Sequence, residues 1–324
     1  MRVLVLGANG FIGRAAINTL SQRSHLELVA AVRSKSPGPD SPAVEVRTCD
    51  ALHRASMRSA LDGVTHAINC VMGSGRVMFT ATTLLTELAV ELKLSRIIHL
   101  SSIAVFGGMT GVLNEESAPS VRNNAYGTAK IACERVTRSA AEFGVRSVIL
   151  RPGCVYGPGG KAWTLRLGQL LVGRRLGDLG SHGDGSCNLI YIADVAAAIE
   201  AALELDTKGA EAFNLAEASP PTWNWYLKNF ARAIGAVPVA YVPAWKLQLE
   251  SRLAAPPLAA MQRLTRNSRW SRKLYPVTPS LVRLFAQEIC FDPRKVDEQL
   301  RLRRTALADG LTSAAQWYRA QVTA

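Results

Sequence analysis

The sequence predicts an α/β protein built on a doubly wound parallel sheet, with a smaller, mostly helical C-terminal lobe for the substrate. Short runs of apolar and β-branched residues alternate with helical patterns through the first half of the chain. A glycine-rich turn follows the first of these runs and opens the first helix. The 324 residues are 48% hydrophobic and 19% charged, so the chain can bury a large core. Strands that alternate with helices are joined by right-handed crossovers, which give a parallel sheet covered on both faces.

Six strands and four helices are predicted in the first half from hydrophobic periodicity. The strands cover residues 2–6, 26–32, 44–48, 64–71, 96–101 and 147–151. The helices lie near residues 11–22, 53–61, 78–92 and 125–143. After Pro152 loops become frequent, and a further strand is expected at 189–192 before a helix that begins at Asp194. From Thr222 the pattern is mostly helical, with breaks at Pro256, Pro257 and Pro276.

Composition and charge exclude several classes of protein. The six cysteines form no CxxC pair and no metal-ligand spacing with histidine, which predicts reduced thiols, no metal and a cytoplasmic protein. The net charge of +13 comes without a basic patch interleaved with aromatic residues, so we expect no nucleic-acid partner. No run approaches the roughly 20 apolar residues of a membrane span, and the apolar run after Met1 is too short for a signal peptide.

The turn at residues 7–13 reads Gly-Ala-Asn-Gly-Phe-Ile-Gly, with the spacing GxxGxxG. Glycine permits a tight turn, lets backbone N–H groups approach a pyrophosphate and lets the helix pack closely on the sheet. Because this turn lies between the first strand and the first helix of a βαβ series, it predicts a Rossmann-type dinucleotide site. The cofactor-binding residues expected here are Gly7, Asn9, Gly10, Phe11, Ile12 and Gly13.

This site sets the predicted domain organisation. Residues 1–160 are assigned to the dinucleotide-binding domain, which also receives residues 186–215. Residues 161–185 and 216–324 are assigned to the substrate-binding lobe. Since the later segments return to the main sheet, the boundary between the two is not a single position along the chain.

Tyr126 and Lys130 are four residues apart, so they share one face of a predicted helix. A phenol with a pKa near ~10 is a poor acid or base at neutral pH. A neighbouring ammonium favours the phenolate and is expected to bring the pKa of Tyr126 toward the working range. Residues 101–107 follow the fifth predicted strand, at the edge where a sheet of this kind meets its cofactor.

The motifs of this chain resemble those of the extended short-chain dehydrogenase/reductases, also called the NAD-dependent epimerase/dehydratase family. The resemblance rests on the glycine spacing, the Tyr-Gly-Thr-Ala-Lys run at 126–130, the Ser-Ser-Ile-Ala-Val-Phe-Gly run at 101–107 and the Arg-Pro-Gly-Cys-Val-Tyr-Gly-Pro-Gly run at 151–159. These motifs occur in the family's order and span most of the chain.

The resemblance implies a role for each motif residue. Ser102 would hydrogen-bond the substrate oxygen, and Tyr126 would donate or take that oxygen's proton. Lys130 would tune Tyr126 and hold the nicotinamide ribose. Pro152 would lie beside the nicotinamide, and Asp50 would contact the adenine. The implied reaction is hydride transfer between the nicotinamide and a carbon that bears oxygen.

Arg33 indicates which dinucleotide is used. An acidic residue at the end of the second strand would accept from the ribose hydroxyls of NAD, whereas a basic residue would pair with the 2′-phosphate of NADP. Residues 32–35 read Val-Arg-Ser-Lys and contain no carboxylate. NADP is therefore the preferred cofactor. In the alternative interpretation Arg33 is a solvated loop residue and NAD is bound.

Departures from the family's motifs narrow the substrate. Ile103 and Ala104 stand where the dehydratases carry an Asp-Glu pair, so elimination of water is disfavoured. Cys187 stands where nucleotide-sugar epimerases usually have an arginine for the diphosphate, although Arg166, Arg174 or Arg175 could replace it.

The run 188–194 is more similar to the dihydroflavonol reductase-like and steroid dehydrogenase-like branch. That resemblance implies a small or moderately apolar carbonyl or alcohol as the substrate. Two alternatives remain, a nucleoside-diphosphate-sugar epimerase with tightly bound NAD and a catalytically silent NADP-binding regulator.

Two surfaces are candidates for larger partners. The segment 245–275 combines tryptophan and leucine with seven basic residues and one acidic residue. Such a segment fits a pair of packed helices, an amphipathic lid or weak contact with a membrane surface. The family resemblance also implies a homodimer through the helices near 78–92 and 125–143.

Overall fold

A computed structural model of the chain describes residues 1–33, 44–121, 124–254, 257 and 275–323. A seven-stranded parallel sheet lies at its centre. The strands of that sheet are β1 (Arg2–Leu6), β2 (Glu27–Val32), β3 (Val44–Thr48), β4 (His66–Asn69), β5 (Arg96–Leu100), β7 (Arg146–Pro152) and β10 (Ala210–Leu215). Their spatial order is β10–β7–β5–β4–β1–β2–β3.

The order of the strands confirms the predicted doubly wound sheet. From β1 the chain runs outward through β2 to β3, and then crosses back to build β4, β5, β7 and β10 on the other side. All neighbouring pairs in this sheet are parallel. The six strands predicted in the first half are all present, although β4 is shorter than the predicted 64–71 because its flanks leave the sheet.

Two small parallel sheets complete the strands. β8 (Cys154–Tyr156) pairs with β9 (Leu189–Tyr191), so the strand predicted at 189–192 forms outside the main sheet. β6 (Gly111–Leu113) pairs with β11 (Ile289–Phe291). The element that returns to the main sheet is β10, which pairs along its length with β7.

The helices follow the strands in the predicted alternation. They are α1 (Phe11–Leu20), α2 (Arg54–Ala60), α3 (Gly75–Glu91), α4 (Ala125–Ser139), α5 (Leu167–Val172), α6 (Ile192–Glu204), α7 (Trp223–Ile234), α8 (Ala244–Leu249), α9 (Pro279–Phe285) and α10 (Leu307–Thr323). The helix predicted to begin at Asp194 begins two residues earlier. The helical pattern predicted over 125–143 divides into α4 and a short 3-10 helix over 140–143.

Alternate residues of β1 show how the sheet is covered on both faces. Val3 and Val5 pack in one core with residues of α1 and α6, whereas Leu4 and Leu6 pack in another with residues of α2 and α3. All four side chains are buried. A strand buried on both sides is therefore apolar at every position, as the sequence of β1 is.

A separate core holds the mostly helical C-terminal lobe. It joins α5, α7, α9 and α10 through buried aromatic side chains. The rings of Tyr226 and Phe230 stack with their centroids 5.7 Å apart, and Trp223 meets Phe285 edge-on at 5.0 Å. This lobe confirms the predicted fold class.

The basic segment 245–275 lies mostly outside the described residues, which end at 254 and resume at 275 apart from Pro257. Its first part, α8 and the turn that follows, exposes Trp245, Leu249 and Leu253, with 67%, 51% and 67% of each residue accessible. The predicted membrane contact thus falls largely beyond what the structure describes. Within the described ranges, no helix is both long and apolar enough to span a membrane.

Candidate active site

The glycine turn after β1 is held in a shape that other residues could not adopt. Gly7 has a φ of +80°, a region that favours glycine, and a Cβ there would lie 2.9 Å from the Cys70 carbonyl oxygen. A Cβ at Gly13 would lie 2.3 Å from the Gly7 carbonyl oxygen. Since both obstacles are backbone atoms, neither can move aside. The sequence therefore packs α1 directly against the end of β1.

The start of α1 fits the pyrophosphate of a dinucleotide. Gly10 is its N-cap and provides no side-chain hydrogen bond, and the first turn contains no acidic residue. The first amide groups are thus left for an anion, which the positive end of the helix dipole also favours. Asn9 Oδ1 is buried with no hydrogen-bond partner among the described residues. These residues would hold the phosphates of a bound dinucleotide.

Arg33 and Asp50 lie at the same edge of the sheet as the glycine turn. Arg33 is exposed directly after β2, and the last paired residues of β2 and β3 are Val32 and Thr48. Asp50 is exposed two residues after β3, where its Oδ1 accepts a 3.0 Å hydrogen bond from the Leu52 amide. Residues 34–43 lie outside the described residues, and they include Lys35, the second basic residue of the run that favours NADP.

Tyr126 and Lys130 lie near the start of α4, as predicted. Asn124 caps this helix by accepting a 3.1 Å hydrogen bond from the Gly127 amide. Lys130 is only 2% exposed, and its Nζ donates a 2.6 Å hydrogen bond to the Leu100 carbonyl at the end of β5. Its Nζ lies 5.8 Å from the centre of the Tyr126 ring. Lysine and tyrosine thus share one helix face toward the end of β5.

Ser102 follows β5 and begins a short 3-10 helix. Its Oγ accepts a 3.2 Å hydrogen bond from the Ala104 amide, and the side chain is close enough to the Tyr126 phenol to lower its pKa. The preceding Ser101 points elsewhere, since its hydroxyl donates to Glu134 at 2.6 Å. Of the two serines, Ser102 is the one that contacts the tyrosine.

The acid–base state of the pair differs from the sequence expectation. Burial raises the pKa of Tyr126, against the lowering effect of the hydrogen bond with Ser102. Burial also lowers the pKa of Lys130, although Cys133, Cys70 and Glu134 favour its charged form. The expected lowering of the Tyr126 pKa by the ammonium is therefore wrong for the protein alone, because desolvation raises the pKa and Lys130 donates to Leu100 instead.

A cleft of about 990 Å³ joins these residues. It runs from the start of α1 past the tyrosine to the C-terminal lobe. The predicted site residues on its lining are Phe11, Ile12, Ser102, Tyr126, Lys130 and Pro152. The remaining predicted residues lie off this lining, in the glycine turn (Gly7, Asn9, Gly10 and Gly13) or after the outer strands (Arg33 and Asp50).

The sequence of the chain matches a known family over most of this architecture. The profile of the NAD dependent epimerase/dehydratase family matches residues 3–216. The chain belongs to this family. It is accordingly an NAD(P)-dependent enzyme of the short-chain dehydrogenase/reductase superfamily. The proteins similar to it include reductases and epimerases.

Three similar proteins illustrate the range of the family. A 3-diazoavenalumate denitrifying reductase from a Streptomyces species is 28% identical over 75% of this chain and 85% of the relative. A UDP-glucose 4-epimerase from Azospirillum brasilense is 29% identical over 60% of this chain and 66% of the relative. The structure of MoeE5 in complex with UDP-glucuronic acid and NAD superposes with a TM-score of 0.75 at 21% identity, over 99% of this chain and 100% of that one. The last similarity supports the fold alone.

The C-terminal half of the cleft contains a charged residue that the sequence did not indicate. Arg283 of α9 lines the cleft, is exposed and has no ion pair among the described residues. The described lining holds three cations, Lys130, Arg166 and Arg283, and no aspartate or glutamate. No family motif covers α9, so only the folded chain shows that this helix reaches the site.

Three arginines could replace the diphosphate-binding arginine that epimerases usually have at the position of Cys187, and they lie in different places. Cys187, at that position, is fully buried. Arg175 is held away from the cleft by a 2.6 Å bond to Glu250, and Arg174 is exposed off the lining. Arg166 lines the cleft, where its Nη2 donates to the Pro276 carbonyl at 2.6 Å and its Nε is buried with no partner among the described residues.

Cysteine and histidine form neither a disulfide nor a metal cluster in the described residues. In the part of the chain that the structure describes, no group of three or more His, Cys, Asp or Glu side chains is arranged to hold a metal. The six cysteines are all free thiols. Burial raises the pKa of Cys70, at the cleft, to about 12, so its thiol is a poor nucleophile.

Proposed function

We propose that this family member is an NADP(H)-dependent oxidoreductase that interconverts a carbonyl and a secondary alcohol. The observation that carries the proposal is the cleft itself. Ser102, Tyr126 and Lys130 line it together with Phe11 and Ile12 from the start of α1, which supports a hydride-transfer site beside a bound dinucleotide. When bound, the nicotinamide would supply or accept the hydride and, in its oxidised form, a positive charge.

Each residue of the proposed triad has a distinct task. Tyr126 would pass a proton to the carbonyl oxygen during reduction and take it back during oxidation. Ser102 would donate a hydrogen bond to that oxygen as charge develops on it. Lys130, held by the Leu100 carbonyl, would keep a cation beside the phenol and contact the nicotinamide ribose.

The preference for NADP rests on Arg33. Its guanidinium is exposed directly after β2, and the described end of that strand carries no carboxylate that would repel a 2′-phosphate. An arginine fork pairs with phosphate through two parallel charged hydrogen bonds. Asp50 would lie on the adenine side, and Pro152 would lie beside the nicotinamide, which its place on the cleft lining supports.

A moderately apolar substrate fits the middle of the cleft. Ile103 and Ala104 line it beside Ser102, so no carboxylate is present there to remove a proton for dehydration. Trp163 and Trp223 line the wall on the side of the C-terminal lobe. Such a surface would bind a carbonyl compound largely through apolar contact.

The second candidate is a nucleoside-diphosphate-sugar epimerase. The pair of arginines on the far lining, Arg166 and Arg283, favours it, because they would attract a diphosphate where no acidic side chain of the described lining opposes them. Against it stands Cys187, whose buried thiol cannot replace a guanidinium. The third candidate, a silent NADP-binding regulator, is disfavoured because both Tyr126 and Lys130 are present in the cleft.

The deciding experiment compares two substrate panels. Loss of NADPH absorbance is followed with ketones and aldehydes, and product exchange is followed with UDP-sugars. We expect turnover of a carbonyl compound, reduced at least about 100-fold in Tyr126→Phe. Tyr241→Phe, at an exposed tyrosine off the cleft, is the matched control. Full turnover by Tyr126→Phe would reject the triad, and epimerisation without net NADPH use would establish the second candidate.

We also propose that the enzyme forms a homodimer through α3 and α4. Phe79 is 42% exposed on α3, a large apolar side chain on a helix face that is otherwise polar at Arg76, Thr83 and Glu87. Light scattering of the purified chain measures its molar mass, and a monomer across the working concentration range would reject this proposal.

A further inference from the structure

A third residue shares the helix face of Tyr126 and Lys130. Glu134 lies four residues after Lys130 on α4, so the three side chains succeed one another at one turn each. Glu134 is 3% exposed. A buried carboxylate on the face that carries two proposed catalytic groups requires a reason, because isolated buried charge is costly.

The partners of Glu134 come from the ends of two strands. Its Oε1 accepts a 2.6 Å bond from Ser101 Oγ and a 2.9 Å bond from Arg151 Nε, and its Oε2 accepts a 2.7 Å bond from Arg151 Nη2. Ser101 directly follows β5, and Arg151 is the penultimate residue of β7. All three side chains are buried, so water does not screen the pair. A second arginine, Arg138, is 3.9 Å away and half-buried.

Lys130 and Glu134 hold consecutive residues of one strand end. Lys130 Nζ donates to the carbonyl of Leu100, and Glu134 accepts from the hydroxyl of Ser101. The next residue is Ser102. Two successive turns of α4 are therefore fastened to the two residues that immediately precede the serine of the proposed triad.

We propose that Glu134 is a positioning residue that, together with Arg151, fixes α4 against the ends of β5 and β7 so that Ser102, Tyr126 and Lys130 keep their relative positions. This inference rests on the proposed function, since it concerns the same three groups. Glu134 touches none of the space where a substrate would react. It acts through Ser101 and through its charge on Lys130.

Two variants separate the position of the carboxylate from its charge. Glu134→Gln keeps the length of the side chain and removes its charge, whereas Glu134→Asp keeps the charge and withdraws it from Ser101. Arg138→Gln is the matched control, because it removes the half-buried cation 3.9 Å from Glu134 and leaves the contacts with Ser101 and Arg151 in place. Circular dichroism and thermal unfolding establish that each variant is folded.

The effect of the Glu134 charge on the pKa of Lys130 is measured by competitive acetylation of Lys130 with acetic anhydride at several pH values, followed by mass spectrometry. Lys130 is faced by Tyr126, Cys133 and Glu134 from α4, by Cys70 after β4 and by His99 of β5. Glu134 favours the ammonium, so Glu134→Gln should lower the pKa of Lys130 and speed its acetylation about threefold near neutral pH. Unchanged acetylation in a folded variant would contradict the proposal.

The position of Ser102 relative to Tyr126 is followed through the pKa of Tyr126. That pKa is measured by NMR of protein labelled with ¹³C at the tyrosine Cζ, and Tyr126→Phe assigns the signal. The hydrogen bond with Ser102 lowers the pKa of Tyr126, so displacing Ser102 in Glu134→Asp should raise it. Arg138→Gln should leave both titrations unchanged. A Tyr126 titration unaltered in Glu134→Asp would overturn the positioning role, and if one Glu134 variant does not fold, the other carries the test. Neither the acetylation of Lys130 nor the NMR titration of Tyr126 needs a substrate. A failure of the proposed function in the turnover assay can therefore be distinguished from a failure of the positioning role.

Discussion

At the scale of single residues, burial dominates the chemistry of the site. The raised pKa of Tyr126 and the lowered pKa of Lys130 have the same first cause, desolvation of the charged form. In the protein alone, the phenol is therefore protonated through the neutral range. A protonated phenol is ready for reduction, because reduction of a carbonyl needs a proton donor.

This state gives a directional pH dependence. Carbonyl reduction should vary little from about pH 6 to about pH 9, whereas alcohol oxidation should rise with pH as the phenolate becomes available. Initial rates in both directions over that range test the expectation. In Ser102→Ala, loss of a hydrogen bond that lowers the Tyr126 pKa should move the rise in oxidation to higher pH. An oxidation rate that does not depend on pH would argue against Tyr126 as the proton acceptor.

Residues in motifs could be predicted from sequence, and residues that reach the site through tertiary packing could not. Ser102, Tyr126 and Lys130 occur in runs whose spacing fixes their place on β5 and α4. Arg283 belongs to a short helix with no motif, and it lines the cleft only because the C-terminal lobe folds back over the sheet. The burial that raises the Tyr126 pKa also depends on distant segments, so spacing alone gave the wrong direction.

At the scale of elements, the turn between β1 and α1 separates structural from binding glycines. A Cβ at Gly13 would collide with backbone on the inner side of the turn. A Cβ at Gly10 would lie 3.1 Å from the Gly7 carbonyl, and Gly10 is exposed at the start of the helix. Gly13 therefore serves the packing of α1, whereas the exposed Gly10 is available to a ligand.

Alanine at the two positions should therefore have different effects. Gly10→Ala should keep the thermal midpoint within about 2 °C of the unaltered protein, yet weaken dinucleotide binding at least about tenfold. Gly13→Ala should lower the thermal midpoint itself, since the obstructing Gly7 oxygen is backbone. Differential scanning fluorimetry with and without NADPH measures both quantities. Equal binding by Gly10→Ala would show that the ligand does not approach this turn.

Element order was predictable because the periodicity of strands and helices is local. The pairing of β9 with β8, outside the main sheet, was not, because pairing depends on which edge the chain reaches after the loops that follow Pro152. The pairing of β10 with β7, which makes β10 an edge strand of the main sheet, was not predictable for the same reason.

At the scale of the whole molecule, two carboxylates lie away from the cleft, the buried Asp194 and the partly buried Glu217. Asp194 of α6 accepts one bifurcated hydrogen bond from the Thr305 amide, shared by its two oxygens, and a second hydrogen bond from the Thr305 hydroxyl, which ties the C-terminal segment to the sheet domain. Glu217 follows β10, and its Oε1 is buried with no partner among the described residues. Burial raises the pKa of both groups.

Glu217 should make the protein less stable as the pH rises. Its folded-state pKa exceeds the unfolded value, so the burial cost is absent below the unfolded pKa and grows as the pH rises through the folded one. Glu217→Gln should raise the thermal midpoint near pH 8 by roughly 2 °C and reduce its dependence on pH. Glu298→Gln, at an exposed carboxylate, is a suitable control. Thermal unfolding from about pH 5 to about pH 8 decides, and a variant less stable than the parent near pH 8 would reverse the assignment.

Calorimetric titration measures whether the chain binds NADP(H), as hydride transfer requires. Protein freed of nucleotide is titrated with NADPH and with NADH, and the titrations are repeated with Arg33→Asp. We expect NADPH to bind about tenfold more tightly than NADH, roughly 1.4 kcal/mol, and Arg33→Asp to abolish the difference. NAD that remains bound through purification, with no preference for NADPH, would rule out the role of Arg33 and favour an epimerase.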